Sequence, residues 1–304
     1  MTLETCDVVG LGVIAVDDML YVDSYPPANI KVRIRERRRQ GGGTMSCGLA
    51  AAGRLGSRCR AIGRLGDNEL SAFVHGHLGQ YGVDLSPLQH DPECEPVYCV
   101  IVVAGDTGTR AIYGDYTHTR PLQPDELKAE WFAGGKVLLV DHFNPPTILA
   151  GVKLARELGL AVVSDIERNS PEFNETRCYI DHLVCSAEFA VPLTGAGSPQ
   201  AACEALVASG EHHTVVVTAG DEGCYWRTTE SRAVRHLKAH PVKAVDTTGC
   251  GDVFHGVFCH GLAQGWPVER ILGWANAGAA LKATRTGGWA AVPTADEIRR
   301  LLGE

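Results

Sequence analysis

A chain of 304 residues that is 45% hydrophobic and 21% charged has ample apolar material for a large buried core. Its net charge of -8 argues against general binding to nucleic acid or to an anionic membrane, and no apolar run approaches the ~20 residues of a bilayer span. Eleven cysteines without a Cys-x-x-Cys pair read as reduced, mostly buried thiols, so the expected location is the cytoplasm.

The first residues lack a basic region followed by an apolar segment, so no signal peptide is expected. Residues 7–12 predict a short buried strand that ends in glycine. Residues 13–25 alternate weakly, as a strand does, and stop at Pro26-Pro27. Residues 31–39 are the only basic run. As a strand they would set Lys31, Arg33, Arg35, Arg37 and Arg39 on one face, either as a charge-protected edge or as a surface that captures an anion. Gly41, Gly42 and Gly43 form a turn that opens an Ala-rich helix, which runs to about Leu55 and stops at Gly56. A strand and turn over 60–67 follow, and Asp67 or Asn68 caps a helix that reaches Tyr81. Residues 97–103 and 110–116 read as two strands joined by the hairpin signal Gly105-Asp106-Thr107-Gly108.

From Lys136 onward strand and helix alternate. Strands are predicted over 137–141, 161–165, 182–185 and 214–218, with a helix over 147–158 between the first two. Asp141 and Asp165 end two of those strands. Thr218 is followed by a turn containing Gly220 and Gly223, and a hairpin strand begins at Cys224. Helices are predicted over 252–264, 268–284 and 294–302, the second with Asn276 among alanines. Such alternation predicts an α/β domain with a parallel sheet, helices on both faces and ligands at the strand C-terminal ends.

The most informative stretch is Ala244-Val245-Asp246-Thr247-Thr248-Gly249-Cys250-Gly251-Asp252-Val253-Phe254-His255-Gly256. It reads as the end of a strand, a glycine turn, and a helix whose first turn carries Asp252. The first N–H groups of a helix lack internal partners and the helix dipole is positive there. Gly249 and Gly251 let an anion approach that backbone closely. A carboxylate fixed beside such a site can take a proton from a hydroxyl. The N–H groups of Gly249, Cys250 and Gly251 would meanwhile stabilise charge on a transferring phosphoryl group. For Gly-x-Gly alone, a capped helix after a tight turn is the plainer reading.

The whole string from Asp246 to Asp252, with Val-Phe-His-Gly after it, resembles the C-terminal signature of the ribokinase, or PfkB-type carbohydrate kinase, family. That family usually has Ala where this chain has Cys250. The likeness covers nearly all 304 residues. It implies a single ribokinase-like α/β domain over 1–304, with a doubly wound, mostly parallel central sheet. A small β-sheet lid would come from segments 13–40 and 96–118 and, as in many relatives, would form a homodimer contact. It implies an ATP-dependent kinase that phosphorylates a hydroxyl of a small sugar, with Asp252 as base.

By the same resemblance, Asp17, Gly42 and Gly43 lie beside the sugar, and Asp115 falls where relatives often contact substrate. Thr218, Gly220 and Gly223 form the nucleotide turn, and Asn276 lies against adenine. Glu188 helps to hold Mg2+ at the phosphates, acting through water. A potassium ion, bound in some relatives, would sit at the Asp246/Thr248 turn and the 285–288 loop. Val-Phe-His-Gly, the run Ala-Leu-Lys-Ala-Thr-Arg-Thr-Gly-Gly and the spacing of Lys31 before Gly41 look similar to the sulfofructose kinase branch, in which that lysine contacts the sulfonate. The alternatives are a nucleoside kinase, a kinase of an anionic sugar such as sulfofructose or a sugar phosphate, and a ligand sensor. Cys250, at a helix N-terminus, is either a reactive thiol of lowered pKa or a small residue filling the place of Ala.

Overall fold

The computed structural model describes residues 5–107 and 109–304. Gly108, the last residue of the expected hairpin turn, lies outside them. The strands in chain order are β1 (Val8–Leu11), β2 (Ala15–Val22), β3 (Glu36–Gly42), β4 (Cys59–Ile62), β5 (Arg64–Leu65), β6 (Val83–Asp84), β7 (Gln89–His90), β8 (Val97–Ala104), β9 (Arg110–Asp115), β10 (Val137–Asp141), β11 (Ala161–Asp165), β12 (His182–Ser186), β13 (Thr214–Thr218), β14 (Cys224–Thr228) and β15 (Arg235–Leu237).

Nine of them form one sheet in the order β15-β14-β13-β12-β11-β10-β1-β4-β6. It is parallel from β13 to β6, and the hairpin strands β14 and β15 run antiparallel at one edge. Strands such as Val137–Asp141 are buried throughout and apolar up to the final Asp141, because helices cover both faces. One layer packs Met45, Leu49, Phe258, Trp274 and Trp289. The other packs Phe132, Ile148, Val152, Phe173 and Leu206. From β1 the chain winds outward to β4 and β6, then returns to β10 and winds the other way. The crevice at this reversal, above the C-terminal ends of β1 and β10, is where a doubly wound sheet binds ligands.

A second, smaller sheet, β3-β2-β8-β9, is built from the two segments expected to form the lid. β2 runs parallel to β8, and the outer pairs are antiparallel. Alternation puts Asp17, Met19 and Tyr21 on one face with Gln40, Arg38, Cys99, Ile101 and Arg110. Asp18, Arg39 and Tyr98 share the opposite face. There Asp18 accepts from Arg39 Nε at 3.0 Å and from the Tyr98 hydroxyl at 2.8 Å.

Three local expectations change. The basic run enters a strand only at Glu36, opposite Tyr21, where the ladder with β2 begins. Residues 31–35 lie outside that ladder and are exposed, with only the Arg35 N–H still reaching Tyr21 O at 2.8 Å, so only Arg37 and Arg39 of the run share a strand face. The stretch before the glycine turn is also not a strand. Val245 and Asp246 donate their N–H groups to Ala283 O at 2.7 and 3.1 Å, which fixes this segment to the end of a helix rather than to a sheet. The helix expected to reach Tyr81 ends at Leu78 and continues as a short 3-10 turn over Gly79–Tyr81.

Candidate active site

The helix Cys250–Ala263 begins at the crevice. Gly249, its N-cap residue, has φ +76°, a left-handed conformation that a side chain disfavours. Asp246 shapes the turn: its Oδ1 accepts from Thr248 N at 2.9 Å and its Oδ2 from Gly287 N at 3.2 Å. The Cys250 N–H forms a long turn bond of 3.3 Å to Thr247 O. The N–H groups of the first helical turn, including Gly251 and Asp252, have no carbonyl one turn earlier and face the crevice end. The helix is held close to its neighbour Thr44–Arg54 at Gly256, where a Cβ would lie 2.1 Å from Gly48 O. Any larger residue at 256 would push this helix, and the cradle at its start, away from Thr44–Arg54.

Asp252 stands in the first turn. A Cβ built on Gly249 would be 3.6 Å from Asp252 Oδ2, so carboxylate and cradle open on the same space. Burial, followed by the like charges of Asp165 and Glu167, pushes the Asp252 carboxyl up to about 8, while His255 and the Cys47 thiol draw it down. Asp252 retains intermediate exposure at the crevice mouth, and water there screens part of that push.

His255, one turn along the helix, is 3% exposed. Its Nε2 lies 3.0 Å from Val184 O, and its Nδ1 lies 2.8 Å from Gly251 O and 3.0 Å from Asp165 Oδ2. Both ring nitrogens face acceptors, the arrangement of a doubly protonated imidazolium. Burial opposes the charge, but Asp165 and the two carbonyls outweigh it and raise His255 to about 9. A buried ion pair thus braces the floor beneath Asp252.

On the lid side, Asp17 is buried and faces the Cys99 thiol. Burial pushes its carboxyl up to about 7. A Cβ on Gly42 would lie 2.1 Å from Asp17 Oδ2, so glycine at 42 is what leaves room for this carboxylate; Gly43, with φ +88°, then turns the chain into the next helix. Gly42→Ala is expected to displace Asp17 and raise the KM for the acceptor at least about tenfold, with a smaller change in kcat, in steady-state kinetics.

Two lid arginines fasten the sheet over the cradle. Arg110 Nη1 donates to Thr247 Oγ1 at 3.1 Å, and Arg38 Nη1 donates to Thr286 Oγ1 at 2.7 Å. Gln40 Oε1 accepts from Gly288 N beside them.

The other expected site residues divide. Glu188 is exposed in the first turn of the helix Ala187–Thr194, at the C-terminal end of β12. Thr218 ends the neighbouring β13 and donates to Cys185 O at 3.4 Å. Gly220, at φ +57°, has open space around it. A Cβ on Gly223 would strike Leu237 O at 2.0 Å, so this glycine serves the packing of the turn against β15. Asn276 is buried and donates Nδ2 to Lys238 O at 2.7 Å, fixing the loop after β15. Thr248 Oγ1 is buried without a hydrogen-bond partner.

Lys31 is exposed outside the lid strands. Asp115 is exposed, accepts from Thr117 N at 2.9 Å, and pairs in register with Tyr98 on the lid face opposite Asp17. The strand-end Asp141 accepts backbone N–H groups from Val13, Phe143 and Met45 at 2.7, 2.8 and 3.2 Å, the work of a structural clamp. Burial pushes the Cys250 thiol up to about 11, opposite in direction to the lowered pKa of an activated thiol.

Sequence reasoning missed Glu167, Arg110, Lys282 and the role of His255. Glu167 and Arg168 lie just past the buried strand β11, after Ile166, and two charges in that place were a usable signal. Lys282 reads in sequence as an ordinary solvated lysine near a helix end, yet it is 0% exposed. All eleven cysteines are free, and eight are buried. No helix among the described residues is long and apolar enough to cross a membrane. Among the same residues, no three His, Cys, Asp or Glu side chains gather as a metal cage.

With this geometry in place, comparison with known proteins is informative. The family model described as pfkB family carbohydrate kinase matches residues 6–295. The chain is 28% identical over 302 residues to an ATP-dependent ribose-1-phosphate kinase of Halopiger xanaduensis, covering 98% of each chain. It is 28% identical over 282 residues to an aminoimidazole riboside kinase of Salmonella typhimurium, covering 86% of this chain and 87% of that one. Its fold superposes on Arabidopsis thaliana ribokinase, solved with ribose and ATP, with a TM-score of 0.86 at 20% identity over 99% of this chain and all of the other.

Proposed function

The chain belongs to the pfkB family of carbohydrate kinases, and on that premise we propose how its own residues carry the transfer. It is an ATP-dependent kinase that moves the γ-phosphoryl group to a hydroxyl of a small sugar or sugar derivative. Asp252 accepts the proton of the attacking hydroxyl. The first-turn N–H groups at Gly249, Cys250 and Gly251 receive the charge that spreads over the phosphoryl oxygens. The Cys250 N–H reaches this role by exchanging its long bond to Thr247 O for the phosphate. The Thr248 hydroxyl, buried without a partner, has a place for one of those oxygens. Asp17 grips substrate hydroxyls from the lid side, and the lid keeps water from competing as acceptor.

The residues present suit Mg2+, which keeps several waters and binds through one or two carboxylates plus phosphates, so no protein cage is needed. Glu188, exposed at a strand C-terminal end, would hold that assembly through water. The ion would neutralise charge on the nucleotide phosphates. Thr218 and Gly220 border the nucleotide, while Gly223 and Asn276 shape its loop from behind. The outer lid face, with Tyr113 64% exposed, suits contact with a second copy of the chain. The reduced thiols suit the cytoplasm.

The observation that carries these roles is the opening of the Asp252 carboxylate onto the glycine cradle. It also sets a pH dependence. The base must be ionised, and burial raises its pKa above the ordinary carboxyl range, so kcat/KM is expected to rise with pH through an inflection above that range. Glu167→Gln removes one of the like charges and is expected to move that inflection to lower pH. A pH–rate series on both proteins checks this, and an unmoved inflection would mean that Glu167 does not act on the base.

A second reading of the acceptor is an anionic sugar. Arg110 and Arg168 both lie within electrostatic reach of Glu167 at the crevice, and the Halopiger relative is named for a sugar phosphate. Lys31, exposed and away from the strands, would contribute only by moving. Turnover of ribose, fructose, their phosphates, sulfofructose and nucleosides by one preparation decides between the readings. A loss of preference for the anion in Arg168→Ala would assign the arginine to it.

A further inference from the structure

The resemblance raised a potassium ion at the turn of Asp246 and Thr248 and the loop after Arg285. The residues present do not fit one. Lys282 is fully buried, and its Nζ donates to Asp246 O at 3.2 Å and to Arg285 O at 3.4 Å. These carbonyls belong to the same turn and the same loop. A diffusible cation placed between them would meet a fixed ammonium and oxygens that already accept its protons.

A buried ammonium is costly unless its surroundings answer the charge. Here they do so in three ways. The two carbonyls accept its protons. Lys282 lies in the last turn of the helix Val268–Ala283, where the helix dipole is negative. The turn whose carbonyl it meets also carries the Asp246 carboxylate, which accepts from Thr248 N and Gly287 N. The lysine stem also runs beneath the cradle: a Cβ on Gly249 would be 3.9 Å from Lys282 Cε. Its positive charge is felt by both Cys47 and Cys250, on the two helices that meet there.

Resting on the kinase reading above, we propose that Lys282 is a tethered cation and a positioning residue. Its ammonium takes the place of a diffusible monovalent ion, ties the 246–251 turn to the 285–288 loop, and holds the cradle ready for phosphate. The protein therefore works without potassium.

The test compares the full-length chain in potassium, ammonium, sodium and choline chlorides at equal ionic strength. For the wild type, melting temperature, Mg-ATP affinity by calorimetry and kcat are expected to be the same in all four. Lys282→Ala is expected to bind Mg-ATP about tenfold or more weakly in choline. Potassium or ammonium, which can enter the vacated space, is expected to restore part of that affinity and raise the melting temperature. Wild-type protein whose nucleotide affinity and melting temperature rise severalfold and by several degrees in potassium overturns the proposal, and that arm needs no variant to fold. So does a Lys282→Ala protein with unchanged affinity in choline, or one whose loss no cation repairs. Melting and nucleotide binding need no sugar, so these results stand apart from a failure to find the acceptor.

Discussion

Replacing Asp252 by Asn is expected to lower kcat by roughly 10²–10⁴-fold, the range for losing a positioned general base. The KM for ATP should stay level or fall, because one negative charge leaves the neighbourhood of the phosphates. This split separates a base from a binding residue: loss of a group that acts only in the transition state lowers kcat and kcat/KM together. Stability supplies a second signature. The Asp252 carboxyl is raised above its ordinary 3.8 by burial and by Asp165 and Glu167, so the fold disfavours its charged form. Its contribution is best below the ordinary carboxyl pKa and is progressively lost as pH rises toward 8. Asn carries no such charge. Asp252→Asn should therefore melt at or above the wild-type temperature at pH 9 while being nearly inactive. A variant that keeps near-native kcat, or that melts well below wild type at that pH, would remove Asp252 from the role of base.

That opposition between stability and activity explains what the sequence made legible. The parallel strands are runs of Val, Leu and Ile that only a sheet covered on both faces can bury, so their periodicity was enough to place them. The glycine turn and Asp252 were legible because a left-handed N-cap at Gly249 and an acid in the first helical turn are local demands, written in adjacent residues. The lid was legible in its strands but not in its faces. Asp17 and Asp115 both looked like crevice carboxylates, and only the β8–β9 register reveals that Asp115 points the other way. The basic run misled for a related reason: alternation can be read along a segment, but a strand needs a paired neighbour, and the ladder between β2 and β3 stops at Tyr21 and Glu36. His255, Asp165 and Lys282 come together from distant parts of the chain. No local pattern distinguishes a lysine that caps a helix in solvent from one that turns inward onto Asp246 O and Arg285 O. Gly223 and Asn276 sit where nucleotide residues were expected, and their partners within the protein are Leu237 O and Lys238 O, on either side of the start of the loop after β15.

His255→Leu is the second large effect. It leaves the Asp165 carboxylate, 4% exposed, without its cation, and breaking a buried pair by removing one partner costs about 3–5 kcal/mol. Urea denaturation at pH 6 should show that loss. The folded pKa of His255 is raised from 6.5 to about 9, so the stability it contributes is fully present below 6.5 and disappears as pH climbs through 9. The gap between wild type and variant should accordingly narrow at pH 9.5, when the wild-type imidazole has also lost its proton. A gap of constant size across that window would mean that His255 is a neutral packing residue and that no imidazolium braces the catalytic helix. The same pair matters for function: the His255 cation lies 3.0 Å from Asp165 and offsets a carboxylate that would otherwise act on the base in full. When His255 loses its proton, the floor that positions the base loses the charge that held it.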